Sequence, residues 1–258
     1  MSLLRVENLT KSFGGVQAVA GVSFELASGE LLALIGPNGA GKSTCFNLLN
    51  GQLRPDAGRV LLNGRDITGR QPRDIWRLGV GRTFQVTATY ASMSVLENVQ
   101  LVLLSRARRL SGIWRPAGAW FQAEALALLE RVGIADQAQR RCSLLAYGDL
   151  KRVELAMGLA SKPTLLLMDE PTAGMAPGER NELMALTAEM TRQTGVGVLF
   201  TEHSMDVVFT FAQRVLVMSR GRIIAQGPPA QVREDPRVQE VYLGTGATFR
   251  AHATLETP

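Results

Sequence analysis

The fold of this chain is decided by the stretch Gly36-Pro37-Asn38-Gly39-Ala40-Gly41-Lys42-Ser43-Thr44. It fits the pattern G-x-x-x-x-G-K-[ST], the Walker A loop, whose glycines let backbone N–H groups curl around phosphate oxygens. The apolar run at 31–35 predicts a buried strand before it, and residues 45–49 predict an opening helix after it. The motif requires this context, because the helix N-terminus adds its dipole to the anion site. A glycine-rich turn with a chance lysine is the alternative, which this context disfavours.

Two side chains of the loop carry chemistry. Lys42 is expected to reach the β- and γ-phosphates of a bound nucleotide, and the Ser43 hydroxyl is expected to ligate Mg²⁺. The other residues of the stretch are predicted to complete the nucleotide site: Gly36, Pro37, Asn38, Gly39, Ala40, Gly41 and Thr44. The loop therefore predicts binding of a nucleoside triphosphate with magnesium.

The composition is that of a globular protein. The chain has 258 residues, 46% hydrophobic and 20% charged, which suggests one or two domains. No apolar run approaches the roughly 20 residues of a membrane helix, and residues 1–7 lack a signal peptide's apolar core. Two cysteines, Cys45 and Cys142, are too few for a disulfide framework, which fits a reducing cytoplasm. The net charge of +5 permits contact with anionic lipid or nucleic acid without choosing between them.

A second chemical cluster follows the apolar run at 165–168. This run is typical of a central parallel strand, and it delivers Asp169 and Glu170 to the strand's carboxyl end, where α/β sheets bind ligands. An apolar strand followed by an acid is the Walker B pattern. Asp169 would hold the Mg²⁺ shell, and Glu170 could orient and deprotonate a water molecule. A solvated loop is the alternative, which the upstream Walker A loop disfavours.

Three further residues are weaker candidates when taken alone. His203 follows another buried strand, at 196–201, and is a candidate contact to the γ-phosphate. Phe13 lies just ahead of the nucleotide core and could stack on adenine, although simple sheet packing is the alternative. Gln85 ends a predicted strand that begins at Val80 and indicates little by itself.

The remaining elements complete an α/β fold. Residues 3–35 alternate as an antiparallel layer, and residues 59–67 predict a hairpin. Residues 86–160 are expected to form a helical insertion in an α/β domain that spans 1–244. A last helix is expected from about Ala230 to Leu243, and residues 245–258 are expected to form a flexible tail.

Within the insertion, residues 105–120 combine arginines with tryptophans, a proline and glycines. Basic residues interleaved with aromatic ones could contact nucleic acid or lipid headgroups. A solvated loop tip explains the same composition.

With these pieces in order, the chain resembles the ATP-binding subunits of ABC transporters over nearly its whole length. The resemblance implies an ABC ATPase cassette: a P-loop NTPase (RecA-like) core with an antiparallel β subdomain and a helical insertion. It implies that Phe13 stacks on adenine, that Gln85 is the Q-loop glutamine at the metal and that His203 is the switch histidine. It also places the signature segment, usually Leu-Ser-Gly-Gly-Gln, at Leu145-Ala146-Tyr147-Gly148-Asp149.

The chain looks most like the branched-chain amino acid type within that family. The similar segments are 82–85, 147–148, 173–175, the insertion near 105–122 and the ending at 235–244. Relatives that handle urea, amides or other hydrophobic amino acids look much the same, so the solute is not encoded here.

Three positions depart from the family pattern. Ala146 replaces the signature serine, which in the family donates to the γ-phosphate of ATP held by the other subunit. Losing that bond could weaken an ATP-bound dimer by roughly 1.5–3 kcal/mol. Asp149 places an acid where glutamine is usual, and Ala176 stands where most members carry an aspartate. These departures favour a heterodimer in which a partner supplies a more standard signature.

The resemblance thus implies an ATPase at the cytoplasmic face of the inner membrane, peripheral to it, whose ATP-driven dimer closure powers a permease. Its expected partners are transmembrane permease subunits, a second ATP-binding subunit and, indirectly, a solute-binding protein, with no nucleic acid expected. The alternative is a soluble ABC ATPase acting on nucleic acid or ribosomes. A kinase or GTPase is disfavoured because there is no Asn-Lys-x-Asp motif.

Overall fold

The structure is a computed structural model that describes residues 2–83, 89–107 and 120–243. Its described strands form two sheets. An antiparallel sheet has the order β2-β1-β4-β5, and a six-stranded sheet has the order β10-β9-β3-β8-β7-β6. The strands of the first sheet are β1 (Ser2–Phe13), β2 (Val16–Ala27), β4 (Ala57–Leu62) and β5 (Arg65–Asp66). Those of the second are β3 (Leu31–Ile35), β6 (Val80–Thr83), β7 (Leu165–Asp169), β8 (Gly197–Thr201), β9 (Arg214–Ser219) and β10 (Arg222–Gly227).

Seven of the described α-helices lie between strands, and two follow β10. They are α1 (Lys42–Leu49), α2 (Pro72–Arg77), α3 (Val95–Arg106), α4 (Gln122–Arg131), α5 (Tyr147–Ala160), α6 (Pro177–Thr194), α7 (Met205–Phe211), α8 (Pro229–Glu234) and α9 (Pro236–Leu243). None of these described helices is long and apolar enough to span a bilayer.

The six-stranded sheet separates two cores. Leu32 and Leu34 of β3 join a cluster with the antiparallel sheet and α1, whereas Leu31, Ala33 and Ile35 join a cluster built mainly from helices. This division follows from the period of two along a strand, which sends successive side chains to opposite faces. Both faces are covered, so every residue of β3 is buried and the strand reads as a continuous apolar run.

The order of the parallel strands positions the site. β3, β8, β7 and β6 lie side by side and run in the same direction, so their carboxyl ends share one edge. The predicted Walker A and Walker B strands are β3 and β7, and β8 lies between them. Loops that are far apart in the chain therefore meet at this edge.

The prediction of one last helix from Ala230 to Leu243 was wrong. Two helices, α8 and α9, occupy this segment, and Asp235 between them adopts an extended conformation with φ −66° and ψ 119°. The cause is Pro236, since a proline disfavours helical geometry at the residue before it. The tail at 245–258 lies outside the described residues.

Candidate functional site

The Walker A loop joins β3 to α1 and approaches neighbouring backbone too closely for side chains at two glycines. Gly41 has φ +103°, and a Cβ there would lie 2.1 Å from the carbonyl oxygen of Ala18. Gly36 has φ +153°, and its Cβ would lie 2.2 Å from the carbonyl oxygen of Met218. Only glycine satisfies both the positive φ and the close approach. The loop thus packs closely against β2 and β9, and this packing fixes the positions of its backbone N–H groups.

Lys42 is the first residue of α1 and is buried, with 7% of its surface exposed. Its Nζ donates hydrogen bonds to the carbonyl oxygens of Gly36, at 2.6 Å, and Pro37, at 3.2 Å. Burial lowers the pKa of this ammonium group, and the carboxylates of Glu170 and Asp169 oppose that shift. The ammonium group therefore lies against the backbone of the Walker A loop and interacts electrostatically with both Walker B acids.

Asp169 ends β7 with both carboxylate oxygens engaged. Oδ1 accepts a hydrogen bond from Thr201 Oγ1 at 2.7 Å, and Oδ2 lies 3.2 Å from Nη2 of Arg82. Arg82 also donates from Nη1 to the side-chain oxygens of Asn47, at 2.7 Å, and Gln52, at 3.0 Å. This carboxylate is held by groups from β8 and β6, so its direction is set before any ligand arrives.

Glu170 and His203 form a direct pair at the same edge. His203 Nε2 lies 2.8 Å from Glu170 Oε1. Glu170 has φ +50°, an uncommon conformation for a residue with a side chain, and its N–H contacts Thr201 through the hydroxyl, at 3.0 Å, and the carbonyl oxygen, at 3.2 Å. The strand order thus brings together the predicted acid and the predicted histidine, which are 33 residues apart.

The residues present fit a nucleotide with magnesium. Gly39, with φ +79°, has open space where a Cβ would stand, so the tip of the loop leaves its backbone accessible to a phosphate. The exposed Ser43 hydroxyl and the Asp169 carboxylate are oxygen donors, which Mg²⁺ prefers. Of the remaining residues of the predicted cradle, Pro37, Asn38 and Ala40 lie in the same loop, and Thr44 lies in the first turn of α1.

Phe13 ends β1 with 47% of its surface exposed, and Lys11 Nζ lies 5.6 Å from its ring centroid. A ring packed only within a sheet would be largely buried. The exposed part of Phe13 is accessible to a stacking partner, and its role at adenine stays a prediction.

The predicted signature segment lies at the start of α5. Tyr147 is exposed and packs beside Gly174, and Lys151 Nζ lies 5.4 Å from its ring centroid. Gly148 is buried against the Glu179 carboxyl group, since a Cβ there would lie 3.1 Å from Glu179 Cδ. The segment is therefore packed against the chain that follows Walker B.

Asp149, the acidic departure, is engaged within its own subunit. Its Oδ2 accepts a hydrogen bond from Gln137 Nε2 at 3.0 Å. Gln137 lies between α4 and α5, so this carboxylate is held by the helical part of the chain, which comprises α3, α4 and α5.

The two alanine departures share a structural position. Ala146 is the N-cap of α5 and Ala176 the N-cap of α6, both with extended backbones and no side-chain capping bond. Serine and aspartate are preferred N-caps, and alanine there costs about 0.5–2 kcal/mol of helix stability. At α6, Glu179 partly compensates by accepting a hydrogen bond from the Ala176 N–H at 3.2 Å.

Two predictions fall largely on residues that are not described. Gln85 lies within 84–88, directly after β6, and most of the arginine- and tryptophan-rich segment lies within 108–119. Their proposed roles therefore stay predictions from sequence.

Arg82 and Thr201 were not among the predicted site residues. Thr201 ends a buried strand, as Asp169 does, and a polar residue at that position was the available signal. Arg82 gave no such signal, because its partner Asp169 lies 87 residues away. Both act on the Walker B carboxylate through sheet neighbours.

Beside the site, a groove of about 360 Å³ opens between the core and the helical part. It is lined by Trp76 of α2, Arg82 and Thr83 of β6, Val102 of α3 and Met157 of α5. Its wall is continuous with β6, which leads into the segment that carries Gln85.

Comparisons with known proteins identify the family of this chain. The family model described as ABC transporter matches residues 19–173, and the model described as branched-chain amino acid ATP-binding cassette transporter matches residues 222–248. The chain is 40% identical over 249 residues to the high-affinity branched-chain amino acid transport ATP-binding protein LivG of Salmonella typhimurium, covering 94% of this chain and 98% of that protein. It is 37% identical over 252 residues to BraF of Pseudomonas aeruginosa, a protein with the same description, with 94% and 98% covered.

Solved structures give the same result. An ATP-binding cassette of an ABC transporter in its ADP conformation is similar with a TM-score of 0.85 and 34% identity, covering 95% of this chain and 99% of that one. A nucleotide-free cassette is similar with a TM-score of 0.84 and 33% identity, with 94% and 99% covered.

The fold and the site define a nucleotide-binding P-loop ATPase whose Walker A and Walker B groups share one sheet edge. This chain belongs to the ABC transporter ATP-binding family. The predictions of the family, the fold class, the ATPase activity and the transporter function are confirmed.

Proposed function

We propose that this chain is the ATP-hydrolysing subunit of an importer of branched-chain amino acids or related small solutes such as amides and urea. The observation that carries the proposal is the 40% identity to LivG over nearly the full length of both chains. The match of residues 222–248 to a branched-chain transporter model supports it independently of the nucleotide site. The expected location is the cytoplasmic face of the inner membrane, peripheral to it.

In the proposed reaction each side chain has one task. Lys42 turns from the loop carbonyls to the β- and γ-phosphates, and Phe13 stacks on adenine. Ser43 and Asp169, together with Gln85, would hold a bound Mg²⁺. When bound, Mg²⁺ neutralises charge that develops on the phosphates. Glu170 accepts a proton from the attacking water, and His203 holds Glu170 in place and contacts the γ-phosphate.

The signature segment would act on nucleotide held by another subunit. Ala146 is the N-cap of α5 and residues 147–149 form its first turn, and the N-terminus of a helix favours a phosphate. ATP then supplies extra affinity for a closed pair of subunits, which is what a ligand-driven switch requires. Hydrolysis removes the γ-phosphate contact and reopens the pair.

The groove between the core and the helical part is where we propose that a permease segment docks. Its lining is mainly apolar, and β6 leads from it to Gln85. Nucleotide state could reach the permease through this strand. The relatives are transport proteins, which favours this partner over nucleic acid or ribosomes.

Isolation of the native complex from membranes tests this function. The chain is expected to co-purify with two kinds of permease subunit and, when solute is present, with a binding protein identified by mass spectrometry. Leucine, isoleucine or valine should stimulate ATP hydrolysis by the reconstituted complex. Stimulation by urea or amides alone would reassign the solute, and co-purification with ribosomes instead of permeases would contradict the transporter.

A charge placed in the groove gives a sharper prediction. Met157→Glu is expected to abolish co-purification of the permease, because docking would remove water from a carboxylate placed on the mainly apolar lining. The matched control is Leu159→Glu, a half-buried residue of the same helix that lines a different cavity. Equal retention of the permease by both variants would contradict docking in this groove.

We further propose that the second ATP-binding subunit is a different chain. Ala146 offers no hydroxyl to a partner's nucleotide, so the purified chain alone is expected to form only a weak ATP-dependent dimer. Light scattering of the Glu170→Gln variant with ATP measures this. Ala146→Ser in that background should tighten the dimer by about 10²- to 10⁴-fold, because a symmetric pair gains one such hydrogen bond at each of its two nucleotides. Ala146→Ser also adds a better N-cap to a helix, and Gln71→Ser is the control for that effect. Gln71 is the N-cap of α2 and makes no side-chain capping bond, so a serine there should leave the dimer affinity unchanged. A tight, fully active homodimer of the unaltered chain would refute the heterodimer.

A further inference from the structure

Glu202 lies between the end of β8 and His203, and it is a buried acid to which the proposed reaction gives no task. Only 4% of its surface is exposed. Burying an ionised carboxylate is costly unless hydrogen-bond donors surround it. The contacts of Glu202 therefore indicate what its charge does.

One oxygen of Glu202 holds the loop that follows Walker B. Oε1 accepts two hydrogen bonds from Thr172, from the backbone N–H at 2.9 Å and from the hydroxyl at 2.6 Å. Thr172 is itself 1% exposed. Hydrogen bonds to an ionised acceptor are roughly twice as strong as neutral ones. This oxygen thus fixes the residue two positions after Glu170.

The other oxygen of Glu202 contacts the backbone of the histidine. Oε2 accepts a hydrogen bond from the N–H of His203 at 3.1 Å. One carboxylate therefore bridges the two loops whose side chains meet at the 2.8 Å contact between Glu170 and His203.

The Glu170 backbone needs such support. Its φ of +50° is sparsely populated for a residue with a Cβ, so surrounding contacts must hold it. Thr201 holds the N–H of Glu170 on one side, at 3.0 Å from the hydroxyl. Glu202 holds the chain on the other side through Thr172.

We propose that Glu202, acting through Thr172 and the His203 backbone, is a positioning residue that sets the distance and direction between Glu170 and His203. This inference rests on the roles proposed above for Glu170 and His203. Glu202 touches no reacting atom in this arrangement. Its effect is on the orientation of the base, for which a displacement of about 1 Å can cost about 10²-fold in rate.

The replacement Glu202→Gln is the primary test. A glutamine oxygen can still accept from Thr172, but its amide NH₂ then faces the N–H of His203, donor against donor. In the isolated transporter complex, kcat for ATP hydrolysis is expected to fall about 10²-fold while the dissociation constant for ATP changes by less than about threefold. Turnover of a Glu170→Gln complex is measured beside it and gives an upper bound on the contribution of the partner's site.

Substitutions at Thr172 separate positioning from folding. Thr172→Val removes the hydroxyl that donates to Glu202 and should lower kcat in the same way. Thr172→Ser keeps a hydroxyl at this position and should retain the kcat of the unaltered chain. The matched control is Thr187→Val, which removes another fully buried threonine hydroxyl, one that donates to the Leu183 carbonyl oxygen at 2.8 Å. It should lower the melting temperature without lowering kcat.

The outcomes distinguish the two proposals. If Glu202→Gln and Thr172→Val turn over normally while Glu170→Gln is inactive, the positioning inference is wrong and the role of Glu170 stands. If Thr187→Val lowers kcat as much as Thr172→Val, the effect is structural and the inference also fails. If Glu170→Gln itself hydrolyses ATP normally, the proposed role of Glu170 fails first.

Discussion

The Glu170→Gln variant is expected to bind ATP normally and to hydrolyse it about 10²- to 10⁴-fold more slowly, the usual contribution of a positioned general base. The amide preserves the size of the side chain and its contact with His203 Nε2, which is 2.8 Å in length. It cannot accept a proton from water at neutral pH. The loss should therefore appear in kcat and not in nucleotide affinity.

Phosphate release under saturating ATP measures the rate, and fluorescent nucleotide titration measures the affinity. Glu182→Gln is the matched control, because Glu182 is 67% exposed and pairs with Arg152 away from β7. Its turnover should equal that of the unaltered chain. Normal turnover in Glu170→Gln would remove Glu170 as the base.

Lys42→Ala is expected to weaken ATP binding by about 10²-fold or more. A hydrogen bond to a charged group contributes about 1.5–3 kcal/mol, and Lys42 is proposed to contact two phosphates. Its ammonium group is already gathered in the loop, on the carbonyl oxygens of Gly36 and Pro37. When ATP binds, the ammonium group would leave these neutral carbonyl acceptors for charged phosphate oxygens. Lys42→Ala removes the ammonium group and therefore this gain in binding.

Equilibrium titration with ATP, with and without Mg²⁺, checks this result. The control Lys162→Ala removes a lysine that is 74% exposed and should leave affinity unchanged. An affinity within about twofold of the unaltered chain would contradict a phosphate contact by Lys42. Because the Walker loop is held by Gly36 and Gly41 against β9 and β2, the variant is expected to stay folded.

Much of the site was predictable because its signals are local. The glycine pattern of 36–44 with its flanking strand and helix, and the apolar run before Asp169, each lie within a short segment. Local patterns of this kind report backbone geometry and burial directly. Pro236, in contrast, was a local signal that the prediction of one last helix overlooked.

The support of the site was not predictable, because it depends on which strands are neighbours. β8 lies between β3 and β7 although it follows both in the chain. That order places Glu202 against Thr172, 30 residues away, and Arg82 against Asp169, 87 residues away. No periodicity within a segment encodes such pairs.

The amino-acid sequence alone specified the chemistry of this protein: a phosphate loop, an acid pair at a strand end and a histidine after the next strand. The tertiary structure determined the positions and orientations of these side chains. It set the conformation of Glu170, the engagement of both Asp169 oxygens and the bridge made by Glu202. The physical reason is that residue type and local burial are properties of short segments. The direction of a side chain depends on hydrogen bonds from strands that only the folded sheet brings side by side.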